Sequence, residues 1–333
     1  MKEVVIFSTE EDQSTSDVMD WLLRHETNTK VWRLNASPLH ETENEFSFIL
    51  NDAPEILFKS KGLNIISANI TSVWYRKTKS YNNGYYRLAK LNDETFMDSL
   101  NSFINGESNY AKNILDIFIN KNDNSLGNIN VANINKMFAL DKARKAGLLI
   151  PPTIITNSKK ILKNFIEENG QVICKPIKDN IPLKNEDEPP VLFSFFTSAI
   201  NENFLELLPN SFFVSLFQKR IEKEIEIRCF YIDSELYSMA IFSQTDETTK
   251  VDFRNYNQEV PNRTVPYQLP KVIETKIRHF MKSINLNTGS IDIILSTDNK
   301  YYFLEVNPAG QFHMVSRPCN YFIERRIANY LES

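Results

Sequence analysis

Glycine is scarce in this chain, with 8 residues among 333. They form neither a GxxxxGK[ST] run nor a GxGxxG run, so a P-loop and a Rossmann phosphate cradle are both missing. Cysteine is scarcer still. Cys174, Cys229 and Cys319 lie far apart, odd in number and with no CxxC pair, which argues against a zinc site or a disulfide framework and fits a reducing cytoplasm. No apolar run approaches the roughly 20 residues of a membrane span. The opening "MKEVVIFSTEEDQ" has too short an apolar stretch before its acids for a signal peptide. An excess of positive charge is also lacking. Lys and Arg number 38 against 42 Asp and Glu, a formal charge of -4, which is the wrong sign for a general nucleic-acid binder. With 42% apolar and 24% charged residues, the expectation is a soluble cytoplasmic protein with no nucleic-acid and no membrane partner.

What is present divides into three segments. "EVVIFS" reads as a buried strand, Asp17 to His25 as a helix, and "KVWRLN", "EFSFIL" and "TSVWYRKT" as further strands, with a long helical region over 93–120. This is a small α/β domain, placed at 1–125. The second segment, 126–208, opens with the helix "NINKMFALDKARKAG", stopped by Gly147 and Pro151-Pro152. A second helix follows from an N-cap at Ser158 to a stop at Gly170, with Ile161, Leu162, Phe165 and Ile166 as its apolar stripe. Then come the strand "QVICKPI" and the polar loop "KDNIPLKNEDEPP". The third segment, 209–333, reads as an antiparallel sheet: "FFVSLFQKRI", then "EIEIRCFYI" and "ELYSMAIFSQ" joined by an Asp233-Ser234 turn. A helix at about 270–285, a strand pair over 288–307 and a closing helix near 317–331 complete it. The fold class is α/β followed by α+β.

The strand pair "GSIDIILSTDNKYYFLEVNPAG" carries the chemistry. A tight turn at Asp298-Asn299, residue types that tolerate positive φ, opposes Asp292 to Glu305 and Ser290 to Asn307. Opposed Cβ atoms lie ~4.5–5.5 Å apart on one face. Two carboxylates that close repel unless a cation lies between them. Oxygen ligands without His or Cys favour Mg²⁺ or Mn²⁺. The alternative is a solvated hairpin whose polar face happens to bear acids; the apolar neighbours Ile291, Ile293, Leu304 and Val306 favour a covered sheet and a metal. With no glycine-rich cradle, phosphate-binding charge must come from single side chains. Lys136 on the helix of the second segment, Lys175 within "VICKPI" and Arg228 within "EIEIRCF" are the candidates. Each alone also fits a salt-bridged or snorkelling structural residue.

In this order, a helix lysine, a "KP" strand lysine, a hinge, an acid-x-Arg strand and a D…ExN pair, the sequence resembles the ATP-grasp superfamily over most of its length. The resemblance implies an N-terminal α/β domain, a central α+β lobe and a C-terminal antiparallel-sheet lobe with helices. It implies ATP and Mg²⁺, two ions with Mn²⁺ as a substitute. Lys136, Lys175 and Arg228 would meet phosphates, Gln218, Lys219, Arg220 and Ile221 would form the adenine hinge through backbone groups, and Glu226 would meet the ribose. Asp292, Glu305 and Asn307 would hold the metal. The sequence departs from the superfamily where a polar, proline-containing loop replaces the usual glycine-rich one. "VWYRKT", "SQTDETTKVDFRNYN" and "VNPAGQFHMVSRPCNYFIERRIANYL" narrow the resemblance to graspetide (microviridin-type, grasp-with-spasm) peptide macrocyclases. This implies a precursor peptide, leader plus core, and a homodimer. Asp252 and Arg254 in "DFR" would handle the substrate carboxylate, although a solvated loop ion pair also fits them.

The expected reaction turns an Asp or Glu side chain of the peptide into an acyl phosphate, which a Ser or Thr hydroxyl, or a Lys amine, displaces to give an ester or an amide. Arg228, Arg254, Asp252 and Lys175 are its candidate catalytic residues. No enzyme nucleophile is needed, in keeping with the lack of a Ser/His/Asp or Cys/His arrangement; His313 is a base or a polar lining group. Glu186 and Asp187, in the acidic stretch at 185–190, are candidate contacts for a leader segment. Two other readings stay open: a ligase adding a free amino acid to a carboxylate, and a non-catalytic peptide-binding scaffold.

Overall fold

The computed structural model describes residues 2–24, 29–35, 45–52, 54–60, 63–66, 69–77, pieces of helix between 96 and 114, 124–178, 183–184, 192–193, 197–243 and 262–333. The chain forms two compact units. One comprises Met1–Asn133, Asn285–Gly289 and Pro308–Ser333, and the other Ile134–Ile284 and Ser290–Asn307.

In the first unit, β1 (Lys2–Phe7) is flanked in parallel by β2 (Thr29–Leu34) and β6 (Ser72–Tyr75). The connection from β1 to β2 is α1, Gln13–Arg24, which starts a turn earlier than the apolar spacing suggested because Asp12 accepts from the Ser14 amide. An antiparallel meander of β3 (Glu45–Leu50), β4 (Pro54–Ser60) and β5 (Leu63–Ile66) shares one core with the parallel sheet: Val5, Phe7, Trp32 and Val73 meet Ile56, Phe58 and Ile65.

Among the described residues, the second unit holds two larger antiparallel sheets and a short two-stranded ladder. Asn135 caps α2 (Lys136–Lys145) by accepting from the amides of Met137 and Phe138, and Gly147 leaves the helix at φ +84. β7 (Thr153–Ser158) leads into α3 (Lys159–Asn169), capped by Ser158 and ended by Gly170 at φ +76. On α3, Leu162 is fully buried, but Ile161, expected in the same stripe, is 49% exposed. After β8 (Val172–Lys175) come a two-residue ladder of β9 (Leu183–Lys184) with β10 (Leu192–Phe193), then β11 (Ser198–Ala199) and α4 (Glu202–Leu207). β12 (Ser211–Lys219) closes the first sheet in the order β11-β8-β12-β7. The boundary expected at 208/209 is therefore crossed. Phe217 of β12 packs on Leu162 and Val172, so this strand completes the central sheet instead of opening the next one.

The second sheet runs β15-β14-β13-β16-β17. β13 (Lys223–Ile232) and β14 (Glu235–Phe242) join through Asp233 and Ser234, both at positive φ, as a two-residue hairpin requires. β15 (Arg263–Tyr267) is an unexpected strand; it carries Pro266 and lies on the sheet edge, where a missing N–H is tolerated. α5 (Lys271–Ser283) seats Phe280 edge-on to Phe303 at 4.8 Å, a contact worth about 0.5–1.5 kcal/mol beyond its burial. β16 (Thr288–Ser296) and β17 (Tyr301–Asn307) form the last hairpin. The single closing helix expected near 317–331 is two helices, α6 (His313–Cys319) and α7 (Ile323–Glu332), separated at Asn320 and Phe322, both left-handed. They belong to the first unit, so the segment 209–333 is not one lobe.

Two stretches of the first unit meet at a buried ion pair. Arg76, from "VWYRKT", is 3% exposed. It donates through Nη1 to the carbonyls of Ala309 (2.5 Å) and Gly310 (3.0 Å) and through Nη2 to Gln311 Oε1 (3.0 Å). Its Nε lies 3.1 Å from Asp12 Oδ2, and Lys77 Nζ lies 3.2 Å from the same oxygen. Burial works to raise the Asp12 carboxyl, but Arg76, Ser14 and Lys77 together hold it below its ordinary value. A carboxylate depressed on folding contributes stability above its unfolded pKa of 3.8 and loses it as pH falls through the lower folded value. Asp12→Asn should cost about 3–5 kcal/mol at neutral pH, because it strands Arg76. Chemical denaturation from pH 7 to 2 should show the wild type losing stability below 3.8, with a shallower acid limb in the variant.

Candidate active site

The candidate site is built on the β16–β17 hairpin. Ser290 opposes Asn307, Ile291 opposes Val306 and Asp292 opposes Glu305, the pairs expected from the sequence. The turn is not the expected one. Toward the tip the pairs are Ile293 with Phe303 and Leu295 with Tyr301, and Asn299 alone has positive φ, so the loop has three residues. A bulge places Leu304 as the extra residue between Phe303 and Glu305. It restores the register by one, and the two departures cancel at the acids. Ile291, Ile293 and Val306 are buried, while Asp292 and Glu305 are half-buried. The sheet is covered, as the apolar neighbours required.

Cations stand at both acids. Arg228 Nη1 lies 2.7 Å from Oδ1 and 2.7 Å from Oδ2 of Asp292. Lys136 Nζ lies 3.9 Å from Glu305 Oε2. α2 packs beside β17, which brings the lysine from its helix to the strand. Arg228 Nε is buried and has no hydrogen-bond partner among the described residues, so the guanidinium keeps an unused donor. The donor set of Asp292, Glu305 and Asn307 fits a hard divalent cation: two carboxylates and an amide oxygen, which Mg²⁺ and Mn²⁺ accept. No group of three or more His, Cys, Asp and Glu side chains with metal-binding geometry occurs among the described residues. The amide of Asn307, outside that count, would be the third donor.

Of the remaining candidates, Glu226 lies on β13 beside β16, while Lys175 and Gln218 lie in the other sheet, on β8 and β12. Lys175 ends β8, and its Nζ donates to Gln218 Oε1 at 3.1 Å. Of the hinge residues, Lys219, Arg220 and Ile221 line an open cavity of about 430 Å³ with Gln171, Thr297 and Tyr302. Not every hinge donor is available there. The Lys219 amide donates to Pro152 O and the Arg220 amide to Gln171 O, so neither meets a ligand in this conformation. Gln218 sits inside the sheet and is buried, with its side chain meeting Lys175 and Thr153. Glu226 is buried, and its Oε1 accepts from Lys223 Nζ and, at 2.7 Å, from Ser243 Oγ. Lys223 went unnoticed because residues three apart on a strand are expected to face opposite ways. His313 belongs to the first unit, with Nε2 3.1 Å from Asp17 Oδ2; burial and Arg317 press its pKa below 6.5 against the pull of Asp17. Asp252, Arg254, Glu186 and Asp187 lie outside the described residues.

No protein-family model and no curated protein sequence matches the chain. Solved structures do. A RiPP-associated ATP-grasp ligase from Chryseobacterium gregarium, in complex with ADP and a leader and core peptide, has a TM-score of 0.79 and 27% identity, over 99% of this chain and 95% of that one. The macrocyclase MdnC of Microcystis aeruginosa, bound with precursor peptide MdnA, has a TM-score of 0.79 and 24% identity, over 99% of both chains. The ATP-grasp ligase PsnB, complexed with minimal precursor, Mg and ADP, has a TM-score of 0.71 and 17% identity, over 99% of this chain and 96% of that one. The chain therefore has the ATP-grasp fold, and along nearly its whole length it is similar to the ATP-grasp ligases associated with RiPPs.

Proposed function

We propose that this chain is an ADP-forming, ATP-dependent ligase that closes side-chain-to-side-chain rings in a ribosomally made precursor peptide. The observation that carries the reading is the opposed pair Asp292 and Glu305, each met by a cation, in a chain folded like ligases solved with ADP and precursor peptides. ATP and Mg²⁺ are the proposed co-substrate and metal, with two ions for which Mn²⁺ can substitute, and a cytoplasmic homodimer is the proposed working form.

Asp292, Glu305 and Asn307 would hold Mg²⁺, which when bound supplies Lewis-acid charge at the phosphates. Arg228 would exchange the Asp292 carboxylate for phosphate oxygens, using the donor capacity it keeps at Nε. Lys136 and Lys175 would add two further cations against the charge of the transferring phosphoryl group. The cavity at Lys219–Ile221 would take the adenine, and Glu226, steadied by Lys223 and Ser243, would stand toward the ribose. An Asp or Glu carboxylate oxygen of the peptide, guided by Arg254 and Asp252, bonds to the γ-phosphorus as the bond to ADP breaks. A Thr or Ser oxygen then bonds to the acyl carbon and gives up its proton, and inorganic phosphate leaves. The ring bond is an ester in this reading, with the amide to Lys as the alternative product. Water must be kept from the acyl phosphate throughout. The acidic stretch with Glu186 and Asp187 is proposed to hold a leader of basic and apolar character.

Three variants test the parts. Glu305→Gln should lower ATP-dependent ring formation at least about a hundredfold, roughly 3 kcal/mol of barrier, with the thermal midpoint nearly unchanged. Mass spectrometry of a precursor with ATP and Mg²⁺, counting waters lost, reads the outcome, and wild-type turnover would remove the metal assignment. Arg228→Met removes the cation from Asp292 and should destabilise the nucleotide-free protein by about 1.5–3 kcal/mol. Millimolar Mg²⁺ should restore much of this in a thermal shift assay, and a variant blind to Mg²⁺ would contradict the shared site. Arg254→Lys keeps the charge but loses the fork that orients a carboxylate. It should bind ATP normally while ring formation falls steeply; loss of ATP affinity instead would move Arg254 to the nucleotide.

A further inference from the structure

Lys175, Gln218 and Thr153 lie in a row across three neighbouring strands. Gln218 of β12 opposes Thr153 of β7 on one side and Ile173 of β8 on the other. Lys175 is then its diagonal neighbour, within reach of long side chains on the same face. The contacts run in one direction. Lys175 Nζ donates to Gln218 Oε1 at 3.1 Å, Gln218 Nε2 donates to Thr153 Oγ1 at 2.9 Å, and Thr153 Oγ1 donates to the Pro151 carbonyl at 2.7 Å. A carbonyl only accepts, so the single hydroxyl proton of Thr153 is spent on Pro151. Thr153 can then only accept from Gln218, which turns the amide nitrogen toward Thr153 and the amide oxygen toward Lys175. A flipped amide would face an NH₂ donor to an ammonium donor. Gln218 is 3% exposed, so water does not rescue the flipped state.

A neutral acceptor at this place has a consequence for the ammonium. A carboxylate would hold the lysine more strongly, but as an ion pair it would cancel the charge a phosphate needs. An apolar residue would leave the ammonium without an oxygen on that side. We propose that Gln218 is a positioning residue that aims the Lys175 ammonium at the nucleotide phosphates without neutralising it, with Thr153 and the Pro151 carbonyl fixing the amide's direction. The inference rests on the reading of Lys175 as a phosphate ligand.

The test uses the full-length chain with two readouts. Calorimetric titration with ADP and Mg²⁺ measures nucleotide affinity. Competitive acetylation of the native protein, quantified at Lys175 by mass spectrometry, measures the reactivity of the amine without nucleotide. Gln218→Glu should weaken ADP binding at least about tenfold and slow acetylation of Lys175. Gln218→Met should weaken ADP binding less and speed acetylation. Thr153→Val should shift both readouts in the direction of Gln218→Met. In a Lys175→Met background, Gln218→Met should bring no further loss of ADP affinity; a merely structural role for Gln218 would give an additive loss. Unchanged Lys175 reactivity in both Gln218 variants overturns the relay. Unchanged ADP affinity in Lys175→Met, with reactivity shifted as expected, overturns the phosphate role of Lys175 and leaves the relay standing.

Discussion

Two like charges facing each other across adjacent strands set the terms for this protein. Asp292 and Glu305 are opposed and half-buried, so each carboxylate gains from a positive neighbour. Without nucleotide, Arg228 and Lys136 fill that role, one from the adjacent strand and one from a helix packed beside the hairpin. With nucleotide, a divalent cation would take over the carboxylates and free both side chains for phosphate. In the proposed cycle the same cations would serve stability in one state and chemistry in the other.

The rest of the second unit carries its candidate charged groups on separate elements. Lys136 arrives at the first turn of α2 because Asn135 caps that helix. Lys175 is held by an amide on the neighbouring strand. Glu226, instead of standing alone, balances Lys223 inside the sheet. Each group has at least one polar partner in the folded chain, and an open cavity lies beside Lys219, Arg220 and Ile221.

Much of this was legible in the sequence, for reasons that can be named. Acid and amide two residues apart in an apolar run, opposite a second acid, survive as a signal whatever the turn does. The register of Asp292 with Glu305 came out as expected although the turn has three residues, because the Leu304 bulge adds back the residue the turn removes. Beside the bulge, Phe303 packs on Phe280, a contact that no local pattern reports. The assignment of β12 to the first sheet was equally hidden, since a strand's own residues do not name its neighbours. Ile161 and Leu162 look alike in a helical stripe, and only the position of the sheet decides which of them is buried. The side-chain duty of Gln218 was missed because a glutamine beside a hinge looks like any polar residue. Its partner Thr153 lies on a strand that the sequence reading passed over altogether.

The central claim is that Asp292 and Glu305 hold a divalent cation jointly with a nucleotide. Electron paramagnetic resonance of Mn²⁺, titrated into the full-length protein with and without ADP, addresses it most directly. The account predicts weak Mn²⁺ binding to the free protein, strongly enhanced by ADP, and loss of the enhancement in an Asp292→Asn, Glu305→Gln double variant that remains folded. An ADP-dependent Mn²⁺ signal of wild-type strength in that double variant would contradict it.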